Sequence, residues 1–205
     1  MTMDESALIQ MACQGDLDAF NRLVLAYQDL AFNLAYRMLS DEDAAADAAQ
    51  AAFISAYRSL GSYRGGSFKA WVLRMVTNQC YDELRRRKRH PQTPLEPLSE
   101  DDGEEIESPY WLADTDPSPE EALERRELER AVQHCLEGLS PDFRAVIIMV
   151  DLEGLDYQEA ALSSSTPIGT IKSRVARARL KLRECLQGFG ELLPALFRQK
   201  KEDIE

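Results

Sequence analysis

The chain has 205 residues, 44% of them hydrophobic and 8% aromatic, and a formal net charge of −12. That is room for one large or two small globular domains. No apolar run approaches the roughly 18 residues that span a bilayer, and Met1–Gln10 lacks the basic-then-apolar order of a secretory leader, so a cytoplasmic protein is expected. Cys13, Cys80, Cys135 and Cys185 are scattered without a CxxC pair, and His90 and His134 are the only histidines. No metal-ligand spacing results and no cofactor motif is visible. Reduced, mostly buried thiols are the expectation.

The charge is unevenly spread. Residues 1–90 are net neutral, 91–120 carry −10 and 121–205 carry −2. The acidic stretch also holds six of the nine prolines: Pro91, Pro94, Pro97, Pro109, Pro117 and Pro119. Such a segment cannot bury a core. Its composition predicts a flexible acidic linker over 91–118 between two near-neutral domains, 1–90 and 119–187, with a tail over 188–205.

In chain order, residues 5–39 read as one or two amphipathic helices. Their expected inward residues are Leu8, Ile9, Leu17, Phe20, Leu23, Val24, Tyr27, Leu30, Phe32, Leu34, Tyr36 and Met38. Asp41–Leu60 is a further helix, acidic at its start as the helix dipole favours, with Phe53, Ile54 and Tyr57 as its expected buried stripe. A glycine-flanked aromatic loop follows over 61–67. Phe68 to about Lys88 is the next helix, with Phe68, Trp71, Val72, Met75, Val76 and Leu84 inward. It ends in five consecutive cations, Arg85–Arg89. Capping a helix C-terminus needs fewer, so a phosphate-backbone patch is expected there. The loop and the helix face bearing Asn78, Gln79 and Asp82 admit two readings. One is a stacking and amide-edged site for an extruded base. The other is an ordinary turn with Tyr63 packed on the core.

Asp156–Glu184 reads as helix, turn, helix. Asp156 and Glu159 fit a capping box. Thr166 is the expected cap of the second helix, with Pro167 in its first turn. Ile168, Ile171, Val175, Ala178 and Leu182 form one inward stripe. At about 100° per residue, Gly169, Ser173 and Ala176 point outward, flanked by Lys172 and Arg177. Small residues between cations suit close approach to base edges and phosphates. This is the pattern of a DNA-reading helix-turn-helix. Past it, Leu192, Leu193, Leu196 and Phe197 are an apolar group of the tail, and Tyr110-Trp111 is an aromatic pair in the linker.

Three passages resemble the extracytoplasmic-function (group IV) sigma-70 factors of bacterial RNA polymerase. They are Asp47-Ala-Ala-Gln50-Ala-Ala-Phe53; Tyr63-Arg-Gly-Gly-Ser-Phe68-Lys-Ala-Trp71 with Asn78-Gln-Cys-Tyr-Asp82-Glu-Leu-Arg-Arg; and Tyr157-Gln-Glu-Ala-Ala with Thr166-Pro-Ile-Gly-Thr-Ile-Lys-Ser-Arg. The resemblance implies an all-α protein of two small helical domains, an N-terminal bundle and a C-terminal helix-turn-helix domain. It implies a factor that binds core RNA polymerase, through the clamp helices of the largest subunit and the flap region, and directs initiation at promoter DNA. An anti-sigma factor is an implied partner. Asp47, Gln50 and Phe53 would belong to the polymerase-docking helix. Tyr63, Arg64, Asn78, Asp82, Arg85 and Arg86 would read and melt the −10 element. Lys172, Ser173, Ala176 and Arg177 would face −35 bases, with Thr166, Gly169, Thr170 and Arg174 near phosphates. Two departures stand out. Ala46 and Ala51 replace acidic residues frequent in the docking helix. Ser163-Ser-Ser165 replaces an apolar residue and glycine, so an intact but less tightly packed turn is expected.

The alternative within this resemblance is a sigma-mimicking adaptor that sequesters an anti-sigma factor; Lys172, Arg177 and Arg85–Arg89 argue against it. A stand-alone repressor would need a dimerisation element that is not visible. No catalytic constellation suggests an enzyme.

Overall fold

The computed structural model describes residues 5–89 and 119–190. The expected linker, its Tyr110-Trp111 pair and the apolar group of the tail lie outside the described residues. Among those described, every regular element is helical: α1 (Glu5–Cys13), α2 (Leu17–Leu39), α3 (Glu42–Ser59), α4 (Phe68–Arg89), α5 (Pro119–Glu137), α6 (Pro141–Ile147), α7 (Tyr157–Ser163) and α8 (Ile168–Gln187). A 3₁₀ turn, Leu60–Ser62, leads into the 61–67 loop, and α6 runs on into a π-turn, Ile148–Leu152.

The first domain packs α2, α3 and α4 together, with α1 against α2. Asp16 and Asp41 cap α2 and α3, accepting from the Ala19 and Ala44 amides at 3.1 and 2.9 Å. Each satisfies one of the donors a helix start leaves open. Leu23, Leu34, Met38, Val72, Leu73 and Val76 fill the centre. The face of α3 differs from expectation. Its buried side is Ala45, Ala48, Ala49, Ala52 and Ala56, whereas Ile54 and Tyr57 are 47% and 45% exposed. Alanine lets α2 and α4 approach closely, so the small residues take the inside and the large ones turn outward. Leu17, expected inside, is likewise exposed.

The second domain folds α6, α7 and α8 around Ile147, Ile148, Met149, Ile171 and Val175, with α5 laid along α8. A disulfide joins Cys135 of α5 to Cys185 of α8, their Cα atoms 5.7 Å apart. This corrects the expectation of four reduced thiols; only Cys13 and Cys80 are free.

The two domains share one continuous core. Their seam lies between α4 and α7, and between the C-terminal end of α2 and α5 and α6. Polar bonds stitch it. Arg144, 9% exposed, donates to Met38 O at 2.6 Å and to Glu137 O at 2.6 Å. Ser163 Oγ donates to Ala70 O at 2.8 Å. The Gln133 amide donates to Ser40 Oγ at 2.9 Å, and Tyr81 OH to Asp142 at 3.2 Å. Lys69 donates to Glu153 O and lies 3.9 Å from its carboxylate. Ser163 thus changes meaning. It was expected to loosen the helix-turn-helix, yet it is 3% exposed and holds the first domain.

Candidate nucleic-acid and partner interfaces

The helix-turn-helix is built from local signals. Asp156 accepts from the Gln158 and Glu159 amides at 2.7 and 2.8 Å, and Glu159 accepts from the Asp156 amide at 3.0 Å, completing the capping box. At the turn Ser165 adopts φ +49° where glycine is usual. Thr166 does not cap α8. Its hydroxyl bonds back to Ser164 O at 3.0 Å, and Pro167 occupies the cap position with no side-chain bond. A proline in extended backbone needs no donor there.

On α8 the inward residues are Ile171, Val175 and Ala178, with Leu182 half-buried; Ile168 is 39% exposed and off the stripe. Gly169, Lys172, Ser173, Ala176 and Arg177 are exposed together on the opposite side, and Thr170 is half-buried beside them. A Cβ at Gly169 would meet nothing within 4 Å, so the protein's own packing does not call for glycine there. Arg174 has turned inward to Asp142 at 2.9 Å. Since Asp142 also accepts from Tyr81 of α4, one carboxylate links the second domain's outer helix to the first domain.

In the first domain the cation run divides. Arg87 donates to Glu83 at 2.8 Å, to Leu39 O at 3.2 Å and to Asp41 at 3.0 Å, tying α4 to the α2–α3 corner. Hydrogen bonds from Arg86, then Arg87, hold the Glu83 carboxyl below its ordinary range. Arg85, Arg86, Lys88 and Arg89 remain exposed. Tyr63 is half-buried edge-on against Phe68 and Trp71, with ring centroids at 5.6 and 5.4 Å. Its hydroxyl donates to Gly66 O at 2.7 Å, and Arg64 donates to Gly61 O at 2.8 Å. Tyr63 therefore packs on the core in this state, while Asn78 and Asp82 are exposed along α4.

Two concavities flank α3. One is an apolar groove of about 650 Å³ between α2 and α3, walled by Leu17, Phe20, Val24, Phe53, Ile54 and Tyr57, with Asn21, Gln28 and Gln50 among its polar groups. The other is a polar cleft of about 370 Å³ between α3 and α4 that holds Asp47, Gln79, Asp82, Glu83, Arg86 and Arg89. The expected docking residues therefore separate. Gln50 and Phe53 line the groove, while Asp47 shares the cleft with Asp82 and Arg86. The α2 wall had not been anticipated. Its signal was present, because α3 carries two hydrophobic faces and only one can be core.

Known proteins fit this architecture along most of its length. Sigma-70 region 2 matches residues 23–90, and Sigma-70, region 4 matches residues 129–182. The RNA polymerase sigma-H factor of Pseudomonas aeruginosa is 37% identical, over 89% of this chain and 94% of that one. The ECF RNA polymerase sigma-E factor of Escherichia coli K12 is 35% identical over 86% of this chain and 91% of its own length. The chain is an extracytoplasmic-function sigma factor. Among solved structures, the sigma factor RpoE from Bartonella quintana, in complex with the anti-sigma factor NepR, superimposes with a TM-score of 0.61. It is 26% identical over 83% of this chain and 98% of its own. CnrH, in complex with the cytosolic domain of CnrY, gives a TM-score of 0.63 at 24% identity over 89% of this chain and 96% of its own, a likeness of fold. This sigma factor is thus a transcription initiation factor that works with core polymerase at promoters. No helix among its described residues is long and apolar enough to cross a membrane.

Proposed function

We propose that this sigma factor takes hold of core polymerase through the α2–α3 groove, reads the −35 element with α8 and opens the −10 element with α4 and the 61–67 loop. The observation that carries the reading is the outward face of α8. Gly169, Lys172, Ser173, Ala176 and Arg177 are exposed on one side of a helix whose other side is core. Small residues between cations allow a backbone or base edge to come close, and arginine can bond bidentately to guanine. The open space at Gly169 supports a need imposed from outside the protein.

Docking on the clamp helices of the largest subunit would cover Leu17, Gln50, Phe53, Ile54 and Tyr57 where they line the groove. Asp47 would act from the neighbouring cleft. Arg85 and Arg86 would hold backbone phosphates while Asn78 and Arg64 contact an extruded base. Tyr63 would have to leave its Phe68–Trp71 packing to stack on that base. Thr166, Thr170 and Arg174 would serve −35 phosphates, Arg174 by exchanging Asp142 for DNA. The working units are 1–90 and 119–187, joined through 91–118 and followed by the 188–205 tail. The factor acts in the cytoplasm, catalyses no reaction of its own and is held by an anti-sigma factor, as the RpoE neighbour is in complex with NepR.

Reconstituted transcription with core polymerase on a promoter library tests the reading. Directed initiation is expected. Asn78→Ala should reduce open-complex formation while leaving −35 duplex binding by the full chain unchanged. Absence of polymerase association, or equal loss of opening and duplex binding, contradicts it.

A further inference from the structure

Cys135 and Cys185 are separated by 50 residues in sequence, and the loop they close contains α6, the π-turn, α7 and most of α8. The bond pins α5 onto the end of the DNA-reading helix. Beside it α5 packs along α8 with Ala131 and Leu136 buried, and His134 meets the ring of Phe189, just past the end of α8, at 5.8 Å. Two residues before Cys135, Gln133 reaches the first domain at Ser40 and Arg37 O. So α5 has one side bonded to the second domain through sulfur and another leaning on α2. A protein that works with polymerase on DNA works in a reducing compartment, where a disulfide is seldom a permanent staple and is more often a transient, redox-responsive bond.

We propose that Cys135–Cys185 is a reversible redox-modification site, exchanging with low-molecular-weight disulfides of the glutathione class, and that its state decides how firmly α5 is held between the domains. The two sulfurs are not equivalent. Cys135 is 2% exposed, whereas Cys185 is only partly covered. Exchange therefore begins at Cys185. In oxidation the Cys185 thiolate attacks one sulfur of oxidised glutathione, forming a mixed disulfide and releasing one glutathione thiolate. The Cys135 thiolate then attacks Cys185 Sγ, closes the protein disulfide and expels the second glutathione. Two protein thiols are oxidised, one glutathione disulfide is reduced to two thiols, and the two protein protons pass through solvent to the departing thiolates. Reduction runs the same steps backwards, with glutathione thiolate attacking Cys185 Sγ and Cys135 leaving first. The other cysteines are unsuited to this role. Burial pushes the Cys80 thiol up to about 12, and Cys13 lies on α1 with no cysteine partner.

The inference rests on the proposed function only for the compartment. Its test needs neither polymerase nor promoter, so the two readings fail separately. The native full chain is equilibrated in glutathione buffers of graded reduced-to-oxidised ratio, quenched in acid, unfolded and alkylated with N-ethylmaleimide. With glutathione held on exposed Cys13 identified by its own mass and counted as a free thiol, intact mass is expected to move from four adducts in excess reduced glutathione to two in excess oxidised glutathione, and Cys185→Ser should abolish that change. Two adducts at every ratio would mean an inaccessible structural bond, and four at every ratio a bond that never forms; either overturns the proposal. Amide hydrogen exchange gives the second readout. Reduction should speed exchange in residues 125–137 at least tenfold and leave α3 unchanged. Equal exchange in the two redox states removes the assigned control of α5.

Discussion

Arg144 reaches from the second domain into the first and donates a 2.6 Å hydrogen bond to the backbone carbonyl of Met38. Met38 lies in the last turn of α2, where carbonyls lack intrahelical partners and a cation is favoured. The same guanidinium bonds Glu137 O at the end of α5 and Leu139 O just past it. One side chain thus satisfies two helix ends from two domains, at the cost of burying a charge. Arg144→Ala should destabilise the protein by about 3 kcal/mol in urea denaturation, because it leaves buried carbonyls unsatisfied. A loss below about 0.5 kcal/mol, the range of ordinary surface changes, would show that the bond is incidental.

The groove gives the most direct test of polymerase docking. Ile54 is half exposed, so Ile54→Asp should alter stability by no more than about 0.5 kcal/mol. If the groove receives a partner helix, the same change should weaken core association at least about tenfold, or 1.4 kcal/mol. Fluorescence titration of labelled factor with core polymerase reads this, and unchanged affinity would move docking elsewhere.

The cation run predicts a contrast in salt dependence. Arg87 is engaged with Glu83, Asp41 and Leu39, whereas Arg85 makes one exposed pair, to Asp82 at 3.0 Å. Such a pair is weak enough to yield to phosphate. Arg85→Ala should lower the slope of log affinity against log salt by about 1. Arg87→Ala should leave that slope alone and lower thermal stability instead. Matching changes for both variants in holoenzyme–promoter titrations would contradict the division.

Ser165 holds φ +49° at the turn into α8. Left-handed backbone costs a non-glycine residue roughly 1 kcal/mol. Ser165→Gly should therefore stabilise the protein by about 0.5–1 kcal/mol, offset in part by the entropy glycine loses on folding. Chemical denaturation measures it, and a clear loss of stability would mean that the serine makes a compensating bond.

Glu153 carries a pH prediction. Burial raises its carboxyl pKa, and Lys69 and Arg37 only partly counter that. A carboxyl raised on folding contributes stability that is complete below its unfolded value and is lost as pH rises through the folded value. At neutral pH the ionised group is therefore a net cost. Glu153→Gln should melt higher than the parent near pH 7, and the difference should vanish once the pH falls below the ordinary carboxylate range. A lower melting point at pH 7 would show that the Lys69 attraction dominates.

Several features were legible because they are local. Asp156 and Glu159 lie three residues apart, and a capping box needs nothing else. The phase of α8 followed from Ile171, Val175 and Ala178. Thr166 misled because hydroxyl residues are good caps in general, while here Pro167 takes the position. The α3 face misled for a different reason. Hydrophobic size predicts burial, but close helix packing favours the alanines and leaves Phe53, Ile54 and Tyr57 to wall a groove. The seam was illegible because it depends on Ser163, Arg144 and Gln133, polar residues with no periodic signature. The Cys135–Cys185 bond was illegible because its halves meet only once α5 lies along α8. Among the candidate site residues, the outward position of Ser173 and Ala176 was legible, and the capture of Arg174 by Asp142 was not.

The seam and the groove occupy different stretches of the same rod. Twenty-three residues of α2 run about 35 Å at 1.5 Å each. Leu17, Asn21, Val24, Gln28 and Phe32 line the groove over the first two-thirds of the helix, while Met38 and Ser40 meet the second domain at the finish. No residue serves both. A partner helix can therefore seat itself while the domains are still together. A change that loosens the seam should leave the lining of the groove, and the grip on a helix seated in it, unaltered.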